Sequence, residues 1–509
     1  MDKKTNNRIL LIEPPFYRLF HDKYSLDKYP LSLGYLAGTI KRETDWDVMV
    51  YNADFNPRSI PMSISHLSGD GFTNYRNNLN TLSGGIWDEV KEIILDYRPT
   101  VIGITSKTQN FESASIIARI AKEIDDKIIV IAGGPHPTMV NIDLISRKEF
   151  DICVKGEGES TIVELLNNIH DKTKWRNVSG IYYCENGKVV NTELRQFIDD
   201  LNSLCFPNEY AEQALKDYEK YPKVALGYIF AIRGCPYNCW FCGSRYIWGR
   251  KARFRSPQNV VEEINLSHKK GIHSIHFDDD TFGINKKYIF ELCDTISRHA
   301  PEMRWSCEMP VKLVKDDIIR VMKESGCHSI ILGIESGNNE ILKKIRKGIT
   351  VEEAIEACDI IKRHKIDLLV FFMVGFPWET EESLKDTIEA IRKTKADNII
   401  YSIFMPYPGT EAFEYCKERG LVSEDFDPSL YNHQSPENCF CLNISHDRFR
   451  ALVSDMEREI DKVNFRNKRK SIFNEIKTFS LGKIISKIRE HGVLNSIKKA
   501  LRIVVKNTG

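Results

Sequence analysis

An α/β architecture in two unequal halves is what this 509-residue chain predicts: a Rossmann-like parallel sheet, then a partial (β/α)6 TIM-like barrel, then a helical carboxyl-terminal extension. Three observations carry that expectation. Short apolar runs alternate with amphipathic helical segments from Arg8 to about Asp200. The same alternation resumes with about six new strands after Tyr228. From about Lys462 the composition turns basic, with apolar residues recurring at helical spacing.

In the first half the expected strands are Ile9–Ile12, Val48–Tyr51, Val101–Ile104, Ile128–Ile131 and Ile152–Val154. Each is apolar throughout, as strands of a parallel sheet covered on both faces must be. Glycine-bearing segments accompany them: Pro30-Leu31-Ser32-Leu33-Gly34-Tyr35-Leu36-Ala37, then Ala132-Gly133-Gly134-Pro135-His136-Pro137-Thr138 after the fourth strand, then Val154-Lys155-Gly156-Glu157-Gly158-Glu159-Ser160-Thr161 after the fifth. Glycine lets backbone pass close to a bulky ligand, and such segments lie at the edge where a Rossmann-like sheet binds its ligands. Thr105-Ser106, just past the third strand, belongs to the same edge. The alternative is that these are tight strand-to-helix turns, with Ser160 or Thr161 capping the helix that follows. A stretch rich in charged and aromatic residues, 201–225, reads as a linker, giving units at 1–200, 226–430 and 431–509.

The strand-like run Tyr228-Ile229-Phe230-Ala231-Ile232 leads into Arg233-Gly234-Cys235-Pro236-Tyr237-Asn238-Cys239-Trp240-Phe241-Cys242. A CxxxCxxC spacing puts three thiolates on one loop at the carboxyl end of a strand. A [4Fe–4S] cluster normally takes four cysteines, so Cys235, Cys239 and Cys242 would leave one iron open to a small molecule. A zinc knuckle is the alternative. It would need a fourth ligand nearby, and His268 and His273 lie beyond a basic segment of helical spacing. Further strands are expected at 228–234, 274–280, 304–310, 329–336, 367–375 and 398–405. Six β/α units after such a loop suit an incomplete barrel, open on one side to admit a large substrate.

Thirteen cysteines in 509 residues are too sparse for a disulfide scaffold, which is the pattern of a protein working under reducing conditions. Cys439 and Cys441 form a CxC without ligand partners and read as ordinary thiols. With 72 basic and 71 acidic residues the net charge is +1, so charge makes no case for nucleic acid. Neither an export signal nor a membrane-spanning run is expected, which predicts a cytoplasmic location. The tail, with Arg466, Lys468, Arg469, Lys470 and later lysines among Ile484, Ile485, Ile488, Leu494 and Ile497, either docks on the protein's own core or lies on an anionic membrane surface.

CxxxCxxC with Phe241 before the last cysteine resembles the signature of the radical S-adenosylmethionine (radical SAM) superfamily. In that family the open iron chelates the amino and carboxylate groups of SAM, and the reduced cluster cleaves it to a 5′-deoxyadenosyl radical. The three glycine-bearing segments of the first half resemble, in order, the cobalamin-binding domain of B12-dependent members. The resemblance implies cobalamin contacts at Gly34, Ser106, Gly133, Gly134, His136, Gly156 and Glu157. One departure is clear: where some cobalamin proteins carry Asp-x-His-x-x-Gly after the first strand, this chain has Glu13-Pro14-Pro15-Phe16-Tyr17. His66-Leu67-Ser68-Gly69 has only the trailing half of that pattern, so no histidine is expected below the cobalt.

In the second half the resemblance implies roles strand by strand. Phe277-Asp278-Asp279-Asp280 puts Asp279 or Asp280 near the SAM amino group. Gly333-Ile334-Glu335-Ser336-Gly337 brings Glu335 and Ser336 within reach of its ribose or methionine polar groups. Gly375-Phe376-Pro377-Trp378-Glu379-Thr380 and Pro406-Tyr407-Pro408-Gly409-Thr410 are turns first and adenine contacts second. Phe241 either packs on adenine or only excludes water from the cluster. The family resemblance implies an enzyme with a [4Fe–4S] cluster, SAM and cobalamin as cofactors. Its substrate would be a small or lipid-linked molecule and its electron donor a flavodoxin or ferredoxin. The expected reaction is methylation of an unactivated carbon. A radical cyclisation like that of anaerobic porphyrin ring-forming relatives, or a noncatalytic iron–sulfur and cobalamin sensor, are the alternatives.

Overall fold

Strands apolar on every residue need cover on both faces, and the first sheet has it. The computed structural model describes residues 7–60, 70–140, 148–423, 427, 435 and 438–477. Within these, β1 (Arg8–Glu13), β2 (Asp47–Asn52), β3 (Val101–Thr105), β4 (Ile129–Gly133), β5 (Ile152–Val154), β6 (Ile181–Glu185) and β7 (Lys188–Asn191) form one sheet in the order β2-β1-β3-β4-β5-β6-β7. The first five strands are parallel, and β6 and β7 add an antiparallel hairpin that apolar runs alone did not suggest. Alternation within β1 divides two cores: Ile9 and Leu11 join a cluster continuous with the second half of the chain, whereas Leu10 and Ile12 join a separate one with Ile102, Ile104 and Trp87.

The second half carries β8 (Tyr228–Ile229), β9 (Ile232–Arg233), β10 (Arg253–Phe254), β11 (Ser274–Phe277), β12 (Arg304–Met309), β13 (Cys327–Glu335), β14 (Asp367–Val374) and β15 (Asn398–Ile403). Six of them form a parallel open barrel wall in the order β15-β14-β13-β12-β11-β8. Six helices of this half start on side-chain caps: Ser256, Asn285, Asn338, Thr350, Thr380 and Thr410 each accept a hydrogen bond from a backbone N–H of the first turn. Each such cap stabilises its helix by about 1 kcal/mol.

Two expectations change, and part of the extension takes one of its two expected positions. The strand expected at 228–234 is broken. Asp279 Oδ1 accepts the N–H groups of Ala231 and Ile232 at 2.8 and 3.0 Å, and beyond them β9 leaves the barrel to pair antiparallel with β10. The stretch 201–225 is folded rather than loose: helix Pro207–Ala214 packs on helix Leu31–Glu43, and Ala211, Leu215, Tyr221 and Leu226 are buried. Finally, helix His446–Lys477 turns back on the barrel, burying Phe449, Leu452, Met456 and Ile460. Its Asn464 side chain pairs with both the N–H and the C=O of Ile399, covering the edge of β15. This part of the extension therefore docks. The segment containing Ile484, Ile485, Ile488, Leu494 and Ile497, and the His66-Leu67-Ser68-Gly69 segment, lie outside the described residues. Among the described residues no helix is long and apolar enough to cross a membrane.

Candidate active site

The cysteine loop is clamped at its start and in its middle. At its start Gly234 has φ +97°, and a Cβ there would sit 2.4 Å from the Lys251 carbonyl oxygen, so only glycine fits. In its middle Trp240 donates its backbone N–H to the Ile345 carbonyl and packs its ring on Trp378, Phe404 and Tyr415 at centroid distances of 4.6, 5.7 and 5.5 Å. The Trp378 indole N–H in turn donates to the Tyr415 hydroxyl at 2.6 Å. Phe241 packs on Phe376 at 5.9 Å. The turns after β14 and β15 therefore supply aromatic walls for the loop, a use that turn chemistry alone did not suggest.

Cys235, Cys239 and Cys242 are all half-buried. Burial raises the Cys239 thiol and pushes Cys242 up to about 12, and the nearness of the three sulfurs to one another adds to both shifts. Neutral thiols crowded on a clamped loop suit a metal cluster, which would displace their protons on binding. Among the described residues no three His, Cys, Asp or Glu side chains are preset at ion-binding distances.

Beside the loop, β13 carries a bulge between Gly333 and Glu335, and Glu335 adopts φ +74°. A bulge re-aims a side chain. Here it turns Glu335 to Lys347, whose Nζ donates to Oε1 at 2.6 Å. Desolvation pulls the Lys347 ammonium down, but Glu335 and Cys239 outweigh it and its pKa lies above the ordinary lysine value. Lys347 went unnoticed in the sequence. It stood as one cation among several before the turn at Gly348, with Arg346 at φ +54° and Gly348 at +73°.

The other barrel candidates separate by burial. Asp279 is 2 % exposed, holds the backbone at Ala231 and Ile232, and is pushed up to about 8 by burial. That makes it a support of the strand. Asp280 is exposed and accepts from the Ser244 hydroxyl at 2.8 Å. Asp278 is taken by Lys28 of the first half, whose Nζ reaches its two oxygens at 2.9 and 2.8 Å and lies 4.2 Å from the Tyr228 ring centroid. Ser336 is buried and accepts from the Asn338 N–H, and Gly375, at φ +96°, donates to Glu379.

At the first sheet the candidates share one edge but not one role. The Ser106 N–H donates to the Gly133 carbonyl, the His136 N–H to the Ser106 carbonyl, and the Gly156 N–H to the Thr138 hydroxyl. A Cβ at Gly133 or Gly156 would meet nothing within 4 Å, so these two line open space. Gly134 has φ +102°, and a Cβ there would meet the Ser106 carbonyl oxygen at 2.9 Å. Gly34 is a packing position, where a Cβ would strike the Tyr29 ring at 2.8 Å. The buried His136 ring pairs with the Thr108 hydroxyl at 3.0 Å and lies 4.4 Å from the Phe111 ring. Glu157 requires a correction: both of its oxygens are engaged by arginines of the second half, so it is a junction residue rather than part of the open crevice.

The two edges meet. A Cβ on Gly243, just past the last cysteine, would lie 2.9 Å from the Met139 sulfur, and one on Gly409 would lie 2.6 Å from the Met139 carbonyl oxygen. The turn after β4 thus abuts both the cysteine loop and the turn after β15.

Comparison with known proteins agrees with this division. The radical SAM superfamily model matches residues 229–391, and the B12 binding domain model matches residues 18–166. An uncharacterized methyltransferase of Pyrococcus horikoshii is 31% identical over 417 residues, covering 82% of this chain and 84% of the relative. The anaerobic magnesium-protoporphyrin IX monomethyl ester cyclase of Rubrivivax gelatinosus is 29% identical over 364 residues, 69% of this chain; the match spans 63% of the cyclase, less than two thirds of its length. Among solved structures, the radical S-adenosylmethionine methyltransferase TsrM from Kitasatospora setae, with cobalamin and [4Fe–4S] cluster bound, matches with a TM-score of 0.66 at 16% identity. That likeness of fold covers 90% of this chain and 89% of TsrM. With a B12 binding domain and a radical SAM domain that abut through Met139, and a relative 31% identical matched over most of both lengths, the chain belongs to the B12-binding-domain-containing radical SAM family.

Proposed function

We propose that this chain is a B12-dependent radical SAM methyltransferase acting on an unactivated carbon of a small-molecule substrate. The observation that carries the reading is the abutment of the two ligand-binding edges through Met139, Gly243 and Gly409. Methyl donor and radical source would then face one substrate space. Together the three cofactors supply a 5′-deoxyadenosyl radical and a transferable methyl group.

The chain's own residues hold and shield these groups. Cys235, Cys239 and Cys242 are assigned to the cluster, with Trp240 and Phe241 excluding water behind it. Lys347 is assigned to the carboxylate of SAM, Glu335 to its ribose or methionine polar groups, and Asp280 to its amino group. Gly133, Gly134 and Gly156 are assigned to the cobalamin face. No histidine is assigned below the cobalt, since the His136 ring is engaged by Thr108 and Phe111. A flavodoxin or ferredoxin as electron donor, a cytoplasmic location and membrane contact by the basic tail belong to the same proposal.

Lys347→Met is expected to weaken SAM binding about tenfold or more while iron content stays unchanged, as equilibrium dialysis would measure. Loss of iron with unchanged SAM affinity would assign the lysine to the loop's structure instead.

Radical cyclisation is the second reading, favoured by the similarity to the Rubrivivax cyclase. Chain reconstituted anaerobically with iron, sulfide and cobalamin should be given reductant, SAM with a deuterated methyl group, and a metabolite extract. Methylation yields 5′-deoxyadenosine and a metabolite carrying the label. Hydrogen loss without label would favour cyclisation, and absence of 5′-deoxyadenosine would overturn the enzymatic reading.

A further inference from the structure

Two glutamates of the first half and two arginines of the second form a buried ion network directly before the cysteine loop. Glu157 and Glu159 follow β5, and Arg233 ends β9, two residues before Cys235. Arg233 donates through Nη1 to Glu157 at 2.9 Å and through Nη2 to Glu159 at 2.6 Å. Arg253, its cross-strand partner on β10, donates to the Glu157 oxygens at 3.0 and 2.9 Å and to the Ile198 carbonyl at 2.6 Å. The Ile198 N–H completes the set by donating to Glu157 at 2.7 Å. Side-chain exposure is 2 % for Arg233, 2 % for Glu157, 8 % for Glu159 and 4 % for Arg253.

Two carboxylates balance two guanidinium groups, and planar guanidinium forks fix orientation as well as charge. Removing one member leaves a buried charge uncompensated. The Tyr35 and Trp248 rings lie 5.2 and 5.0 Å from the Arg233 guanidinium carbon and leave it little freedom. Arg233 is joined directly to Gly234, which packs tightly against the Lys251 carbonyl, so the arginine and the start of the loop are held as one piece.

We propose that Glu157 and Glu159 are positioning residues for the cysteine loop, so that the segment after β5 sets where the cluster lies relative to the cobalamin edge. The inference rests on the assignment of that loop to the cluster. Its consequence is coupling: with the network intact, radical formation and methyl transfer occur at a fixed separation, and a 1 Å displacement of reacting groups is enough to uncouple them.

The test is Glu157→Gln, with Glu159→Gln as the milder variant that leaves Arg233 held by Glu157. In cofactor-free protein, amide hydrogen exchange over 233–243 should accelerate about tenfold or more in Glu157→Gln and less in Glu159→Gln, while exchange in β12 to β14 stays unchanged. In reconstituted protein the iron content should match wild type. The electron paramagnetic resonance signal of the reduced cluster with SAM should shift, and methylated product per 5′-deoxyadenosine should fall. Unchanged exchange over 233–243 would overturn the proposal. So would loss of cobalamin binding with unchanged exchange in that loop, which would make Glu157 a cofactor contact. Wild-type protein that binds no iron would instead remove the cluster assignment, and that outcome is separate because the exchange measurement uses no cofactor.

Discussion

Replacing Cys235, Cys239 or Cys242 by Ala is expected to abolish iron binding and SAM cleavage, with cofactor-free protein that still folds. The sulfurs are half-buried on a loop held by other contacts, namely Gly234 against Lys251 and Trp240 among three aromatic rings. Removing one thiol therefore leaves the clamp in place. It leaves two protein thiolates where a site-differentiated cluster needs three. Cys439→Ala should retain full iron content and cleavage, because Cys439 lies beside Phe440 and Cys441 in the core that backs helix His446–Lys477. Iron per chain, the cluster's visible absorption and 5′-deoxyadenosine formed on reduction measure the outcome. Cleavage that survives in Cys239→Ala would remove the assignment.

The central parallel strands of the first sheet were legible because burial on both faces makes them almost wholly apolar, a local signal that needs no knowledge of partners. The cysteine triplet was legible because its ligands share one loop. What escaped was of two kinds. Some signals were local and passed over: Asn186-Gly187, with φ of +53° and +74°, is the hairpin turn that joins β6 to β7. Others were not local at all. Glu157 meets Arg233 across 76 positions and Arg253 across 96, and Lys28 meets Asp278 across 250. Before folding, nothing distinguishes such charges from solvated ones. Read alone, the Gly-Glu-Gly-Glu segment pointed to a cofactor edge, and its glycine at 156 does line open space, while its acids turn inward to the arginines. The break after β8 is of the same kind, since Asp279 bends a segment 47 positions away.

The second large effect is expected at Glu379, and its direction follows from burial. Glu379 is fully buried; its Oε2 accepts the Gly375 and Phe376 N–H groups at 2.5 and 3.2 Å, and Oε1 has no hydrogen-bond partner among the described residues. Burial pushes its carboxyl up to about 8, from an ordinary value of 4.5. The folded chain thus holds a proton that the unfolded chain releases earlier. The resulting contribution to stability is fully present below about 4.5 and is lost progressively as pH rises to about 8. The loss is on the order of 5 kcal/mol once the group is ionised in both states. Glu379→Gln removes the titration while keeping an oxygen to accept the two N–H groups. Urea unfolding of the cofactor-free protein should show the variant no more stable than wild type near pH 5 and clearly more stable at pH 9. Parallel curves for the two proteins would refute the account. The consequence reaches the cysteine loop, because Phe376 and Trp378 of the same turn form the wall on which Phe241 and Trp240 pack. Wild-type protein should therefore lose its cluster more readily in alkali than Glu379→Gln does, at equal iron content near neutral pH.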